Sequence, residues 1–409
     1  MPLDFNQLKE LIAGDTVAIR GKATLEPAGG PGDKIFPPTH AVDDNKRPEP
    51  GAKYAFETRR IDNQDVRCVL IDSVQSQANR MEEALQALWV DKRIVLPVVS
   101  VDFSSIAPEV GRVTSLTAPH RIADALLRDS LLNGQLFRLS DIGKSFTDAS
   151  TKNATALFKV CPTGLVFGMW DSTGPKGGLG AKFQRALVSE IIGINASPGS
   201  KTESRIDPLN ILKKAADIYV AADEKERWTT DLSKAKKENG EPVKFGKEGK
   251  PSEVNHGNVT PSIDSVGGGV TIDEARHTVV LSIASLRRLG FTTGAEEARA
   301  VLTALGLLAV FAADSRGHDL RSRCLLVPKK GSALKLEAVA RDGSTTPVDL
   351  DLAGAIALYN EAVGQLPDGI KFDKPAGEAL ADLQPSPKLA DLVTKSRRLS
   401  AAEADVGDA

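Results

Sequence analysis

The sequence predicts an α+β fold, and three observations carry that reading. Apolar runs rich in β-branched residues interleave irregularly with segments of helical periodicity, unlike the regular alternation of a doubly wound sheet. A composition of 41% hydrophobic and 26% charged residues over 409 positions is that of a globular chain with a large core. Cys68, Cys161 and Cys324 are odd in number, widely spaced and in no C-x-x-C pair, so neither a disulfide framework nor a zinc site replaces that core.

Strands are expected at residues 16–25, 67–74, 93–103, 165–170, 323–327 and 334–340, where short apolar runs end in turn signals. Helices are expected at 76–89, 119–132, 182–194, 273–289, 295–313 and 350–363. In the first helix Ala78, Met81, Leu85 and Leu88 share a buried face, leaving Ser76, Asn79, Arg80 and Glu83 opposite. In the second, Pro119 suits a first-turn position, and His120, Asp124 and Arg128 form an i, i+4, i+8 polar stripe. In the third, Phe183, Leu187 and Ile191 face one way and Lys182, Arg185 and Ser189 another. Residues 301–313 are too short an apolar run to span a bilayer and read as a buried helix.

Three segments stand outside this pattern. Residues 27–53 are rich in Gly and Pro, and residues 223–258 are crowded with Lys and Glu. Both are expected to be insertions, mobile or ordered by a partner. The acidic residues 396–409 are expected to be a disordered tail, so that residues 1–395 form a single domain. The N-terminus has neither the basic nor the apolar region of a signal peptide, and the expected location is cytoplasmic, without a membrane partner.

The richest chemistry lies in residues 164–195, GLVFGMWDSTGPKGGLGAKFQRALVSEIIGIN. An expected strand runs into a glycine loop carrying Lys176 and then into a basic helix start, a geometry that gathers backbone N–H groups and cations around an anion. The spacing fits neither a Walker loop nor G-x-G-x-x-G, so phosphate contact is expected without a mononucleotide fingerprint. A plain strand–helix connector is the alternative.

Lys176, Lys182 and Arg185 are the leading phosphate ligands. Gln75, Ser76, Asn79 and Arg80 follow, from QSQANR, then His120 and Arg128. Trp170 could stack on an unpaired base, a contact worth about 1–3 kcal/mol; the alternative is a core or subunit-contact tryptophan. Ser172 lies beside it. Arg205 in SRIDPL, and Arg316 and Arg321 in SRGHDLRSR, are further candidates; for SRIDPL the alternative is a capping turn around Asp207. One of Arg287 and Arg288 is expected to make a structural pair. A net charge of −2 requires any nucleic-acid surface to come from segregation of cations rather than from their excess. The five histidines show no H-x-x-x-H or H-x-H spacing, and no metal ligand set or cofactor is expected. His120 with Asp124, or Asp171 beside Ser172, could imitate a catalytic pair, but no nucleophile–base constellation follows from spacing.

QSQANRMEEAL, PHRIADALLRDS, GMWDSTGPKGGLGAKFQRALVSEI, SRIDPL and VTIDEARHTVVLSIASLRRLGF occur in this order. Together they resemble the Cas-seven-type (Csb-one-like) backbone subunits of CRISPR type I-G, formerly I-U, effector complexes, a branch of the RAMP superfamily. The resemblance covers about residues 16–328. It implies an RRM-like (ferredoxin-like) palm with inserted finger and thumb segments. It further implies copies stacked head-to-tail along the spacer of a CRISPR RNA, which is held for pairing with a target DNA strand beside other effector subunits. Such subunits bind rather than cleave; a RAMP-type endoribonuclease is the alternative.

Overall fold

The computed structural model describes residues 3–43, 49–172, 181–223 and 225–407. The chain mixes helix and sheet, as its sequence predicts, and divides into two units. The first comprises Met1–His40, Tyr54–Ser197 and Val270–Ala390; the second comprises Ala41–Lys53, Pro198–Gly269 and Asp391–Ala409.

A nine-stranded sheet organises the first unit. In chain order its strands are β1 (Thr16–Pro27), β2 (Phe56–Ile61), β3 (Gln64–Asp72), β4 (Leu187–Ile194), β5 (Glu274–Ser282), β6 (His318–Asp319), β7 (Leu325–Pro328), β8 (Lys335–Ala340) and β9 (Thr345–Val348). In space the order is β2–β3–β4–β5–β1–β7–β6, with β8 also paired to β1 and β9 to β8. Every pairing is antiparallel. The length of β1 lets it pair with β5 along one edge, Ala18 opposite Ser282 through Leu25 opposite Ala275, and with β7 and β8 along the other. Ile19, Ala23 and Leu25 of β1, like Ala275, Val279 and Leu281 of β5, point into the core at the two-residue period of a pleated strand.

The long helices of this unit are α1 (Phe5–Ala13), α2 (Val74–Val90), α3 (Ala295–Asp314) and α4 (Leu352–Gly364), beside several shorter ones. α3 is apolar on most sides and therefore has to be surrounded. α1, α2 and α4 pack on it, and Val301, Leu302, Leu305 and Leu308 are buried. Gly306 permits its close approach to the sheet, because a Cβ there would meet Leu281 at 3.1 Å. Arg287 donates to the carbonyls of Ile12 and Gly14, both at 2.7 Å, satisfying acceptors left open at the end of α1. A smaller five-stranded sheet gathers Arg112–Thr114, Val99–Asp102, Ala381–Pro385, Ser130–Leu132 and Gln135–Leu136.

Several expected elements differ. Residues 182–194 are strand Lys182–Phe183 followed by β4, not a helix. The i, i+4, i+8 spacing of Phe183, Leu187 and Ile191 satisfies a period of two as well as one of 3.6, and β-branched Val188, Ile191, Ile192 and Ile194 tip the choice toward sheet. Residues 273–289 likewise split into β5 and the short helix Ile283–Arg287. The expected helix at 119–132 breaks at Arg121, whose φ is 55°; the helix Ala125–Arg128 then begins from an Asp124 N-cap. Residues 165–170 belong to the helix Thr163–Val166 and the strand Met169–Trp170, with Gly168 at φ 85° between them. Of residues 93–103 only Val99–Asp102 pair as strand.

In the second unit, Lys201–Arg205 pairs with Val259–Asp264 in an antiparallel ribbon. Phe245 and Val254, from the charged stretch at 223–258, form a small core with Ile218, flanked by Val220 and Trp228. Few apolar residues suffice because the segment folds on itself through short strand pairs such as Lys237–Glu238 with Glu241–Pro242. Asp207 accepts from the backbone N–H groups of Ile211 and Gly257, each at 3.0 Å, so SRIDPL is a turn organised by Asp207, although no helix follows for it to cap. Helix Pro387–Gly407 runs into the 396–409 stretch, whose Ala and Glu are good helix formers; residues 408–409 lie outside the described residues. Among the described residues no helix is long and apolar enough to cross a membrane.

Candidate nucleic-acid interface

The end of β3 delivers the chain into α2, so the first turn of α2 sits at the rim of the sheet. The broken segment at 119–128 and the short hairpin of Met169–Trp170 with Lys182–Phe183 close around it. Between them lies a cleft of about 680 Å³. Gln75 and Asn79 line it from α2, and His120 and Arg128 from the broken segment. Trp170, Ser172, Lys182 and Arg185 line it from the hairpin and the residues flanking it. Four cations (Arg121, Arg128, Lys182 and Arg185) thus line one cleft with His120, and among the described residues that line it none is Asp or Glu. In a chain of net charge −2, these cations are concentrated in one place.

Trp170 is 55% exposed, and its ring lies 5.2 Å from Lys182 Nζ. The two face each other across the hairpin, so an apolar plate and a cation are presented together. Arg185 is lowered from the usual guanidinium range by burial and by neighbouring Arg121. It packs over Gly168, where a Cβ would stand 2.8 Å from Arg185 Cγ. Arg128 is raised by its hydrogen bond to Asp129, at 2.7 Å from Nη2, so part of its charge is answered locally.

Arg121 forms the floor. Its Nε and Nη2 donate to the two carboxylate oxygens of Glu82, both at 2.7 Å, and Nη1 donates to the Gly168 carbonyl at 3.1 Å. Burial outweighs this pairing and pushes the Glu82 carboxyl up to about 7. Arg121, Gln184 and Phe167 are cleft residues that the sequence reading passed over. Arg121 lies inside the quoted PHRIADALLRDS, and nothing in its spacing announces a left-handed backbone or a partner on α2.

Other candidates lie elsewhere. Asp72, fully buried, accepts from Arg80 Nε at 3.0 Å, Arg321 Nη2 at 3.1 Å, Ser76 Oγ at 2.8 Å and Gln77 Nε2 at 2.7 Å. Ser76, Arg80 and Arg321 are thereby turned inward to hold one buried carboxylate. Arg316 is exposed at a second, smaller cavity that Arg80 also lines. Arg205 is exposed on the ribbon of the second unit. Lys176 lies outside the described residues. Lys182 owes nothing to a helix dipole, because a strand follows the glycine loop.

The imitated catalytic pairs do not form. Asp124 accepts the backbone N–H of His120 at 3.0 Å and that of Leu126 at 3.0 Å, capping a helix rather than orienting an imidazole. Asp171 is buried and bonded to Arg138 at 2.7 Å.

Residues 19–198, which include every residue lining the cleft, match the family model described as CRISPR-associated protein GSU0053. Over that stretch the sequence is similar to a CRISPR-associated family. The chain is also similar to the crystal structure of Csc2 from Thermofilum pendens, at 9% identity over 97% of this chain and 80% of that one, with a TM-score of 0.30. A further similarity is to a chain of a CRISPR RNA-guided surveillance complex, pre-nicking, at 13% identity over 93% and 99%, with a TM-score of 0.28. TM-scores this low fix no fold, which rests on the strand pairings above. No curated protein matches the sequence.

Proposed function

We propose that this chain is a non-catalytic, CRISPR-RNA-binding backbone subunit of a multisubunit, DNA-targeting CRISPR interference complex, of the type I-G class its motifs resemble. The observation that carries the reading is the cleft, without Asp or Glu among its described lining residues, which collects eight of the expected RNA-binding residues from three separate stretches of sequence. Its cations and amide side chains suit phosphate and sugar, and contacts of that kind hold a guide of any sequence. Trp170 offers one stacking surface. Copies of the chain associate head-to-tail along the guide, other effector subunits end the array, and the target DNA strand pairs with the exposed guide bases.

The strand order supports an RRM-like palm for this role. β8–β1–β5–β4, with α2 between β1 and β4 and α3 between β5 and β8, has the order of a β-α-β-β-α-β unit. The hairpin β2–β3 is inserted after its first strand. Most of the second unit is inserted between β4 and β5, where a finger or thumb would emerge.

The direct test is protein purified from its own host. The expected preparation has a high 260/280 absorbance ratio that collapses after ribonuclease treatment and releases an RNA of discrete length. Charge reversal of Lys182 and Arg185 together is expected to lower that RNA load with an unchanged circular dichroism spectrum. Full RNA retention by a folded double variant would make the glycine loop a mere connector and defeat the proposal.

A further inference from the structure

His277 of β5, Asp314 at the end of α3 and His318 of β6 converge on a cavity of about 160 Å³ in the first unit, separate from the cleft. One ligand-capable atom of each lies within 4.8 Å of the others, and His318 Nε2 stands 3.4 Å from Asp314 Oδ1. Tetrahedral zinc, with bonds of about 2.0–2.1 Å, sets neighbouring ligand atoms about 3.3 Å apart. That edge already has the required length.

The second observation concerns the His277 ring, which is only 3% exposed and whose Nδ1 has no hydrogen-bond partner. Its protonation can be traced from Asp72. With two arginines beside it, Asp72 is an acceptor, so the Gln77 amide must turn its N–H toward Asp72 and its Oε1 toward Ser189. Ser189 Oγ donates to that Oε1 at 2.9 Å. Ser189 has then given its only proton, so at 2.8 Å it can only accept from His277 Nε2–H. Nδ1 is left as a bare, buried lone pair. A relay that fixes one imidazole nitrogen as donor and frees the other is how proteins orient a histidine toward a metal.

We propose that His277, Asp314 and His318 bind one divalent transition-metal ion, zinc foremost, with the remaining position open to the cavity and held by water. Two imidazoles and one carboxylate favour zinc over magnesium or calcium, which prefer all-oxygen sets. The ion would pin the end of α3 and β6 to the central sheet, a structural role independent of RNA binding.

Untagged full-length protein, stripped with chelator and titrated with zinc chloride in a calorimeter, tests this. One equivalent is expected, with a rise in melting temperature. Cobalt chloride should give the intense visible bands of a tetrahedral site, lost in His277→Gln and in His318→Gln and kept in His256→Gln of the second unit. Ser189→Ala should weaken zinc binding by roughly 10–100-fold through the lost orientation of His277. The unmodified protein alone keeps the proposal falsifiable if a variant misfolds, because absence of saturable one-to-one zinc uptake overturns it. So does an unchanged cobalt spectrum in His277→Gln.

Discussion

Arg121 and Glu82 meet in a two-pronged ion pair, both prongs 2.7 Å, with side chains only 7% and 2% exposed. The same guanidinium fixes the Gly168 carbonyl, so one buried pair joins α2, the broken segment and the cleft hairpin. Removing one partner strands a buried charge. Arg121→Ala is therefore expected to lower unfolding free energy by about 3–5 kcal/mol in a urea titration, whereas a matched apolar replacement of both residues should cost far less. Equal losses in the two cases would show that packing, not charge, holds the site.

Glu82 also gives the cleft floor a pH dependence. Its folded pKa, about 7, lies above the ordinary value of 4.5 because burial disfavours the charged form. A carboxyl raised in this way binds more protons folded than unfolded. Its contribution to stability is full below about 4.5 and is lost as pH rises through about 7. Melting temperatures of the native protein and the Glu82→Gln variant, compared across pH 4.5 to 8, should shift against the native protein as pH rises. A constant difference would reject the assignment.

The two groups of arginine and lysine candidates should separate cleanly. Arg80→Ala and Arg321→Ala each remove a charged hydrogen bond from buried Asp72, and each is expected to cost about 1.5–3 kcal/mol of stability. Lys182→Ala and Asn79→Ala lie on the exposed cleft wall and should leave the melting temperature within a degree or two while weakening RNA binding. Thermal melts and filter binding on the same variants decide whether the division is real.

These assignments also mark how far the sequence could be read. Long, strongly periodic α2, α3 and α4 were legible, as were β1 and β3, because local pattern and tertiary burial agree there. β4 was not: spacing of Phe183, Leu187 and Ile191 is common to both periods, and only the neighbouring strands β3 and β5 decide between them. The cleft was legible as a set of residue types around Gly-rich and Asn/Gln-rich turns, even though the helix dipole invoked for Lys182 was absent. Arg80 and Arg321 carried the right charge for RNA but fold onto Asp72; the Arg321 contact spans 249 residues of sequence, and no local signal reveals it. The trio of His277, Asp314 and His318 was not read from the sequence, because His277 comes from a strand some forty residues away in the chain.

If phosphate contacts dominate, the logarithm of RNA affinity should fall linearly with log salt, at roughly 0.7 per phosphate neutralised on a single strand. Lys182→Ala should reduce that slope by about one contact, and scrambled spacer sequences should bind alike. A pronounced preference for one spacer at constant salt would mean that the cleft reads bases.

Catalysis separates the binding subunit from an RNA-cleaving relative most sharply. In-line cleavage needs a positioned base, an aligned nucleophile and charge stabilisation at the leaving oxygen. The cleft supplies cations for the last of these. Asp124, however, spends its carboxylate on the His120 and Leu126 amides, and Asp171 on Arg138, so neither orients His120 as a base. Assembled complexes incubated with labelled complementary RNA, with and without magnesium, are expected to leave it intact. His120→Ala should change RNA affinity only, and Asp124→Ala should cost about 1 kcal/mol of stability as a lost helix cap. Regularly spaced products that disappear in His120→Ala would identify that histidine as a catalytic base and replace the binding role with an endoribonuclease.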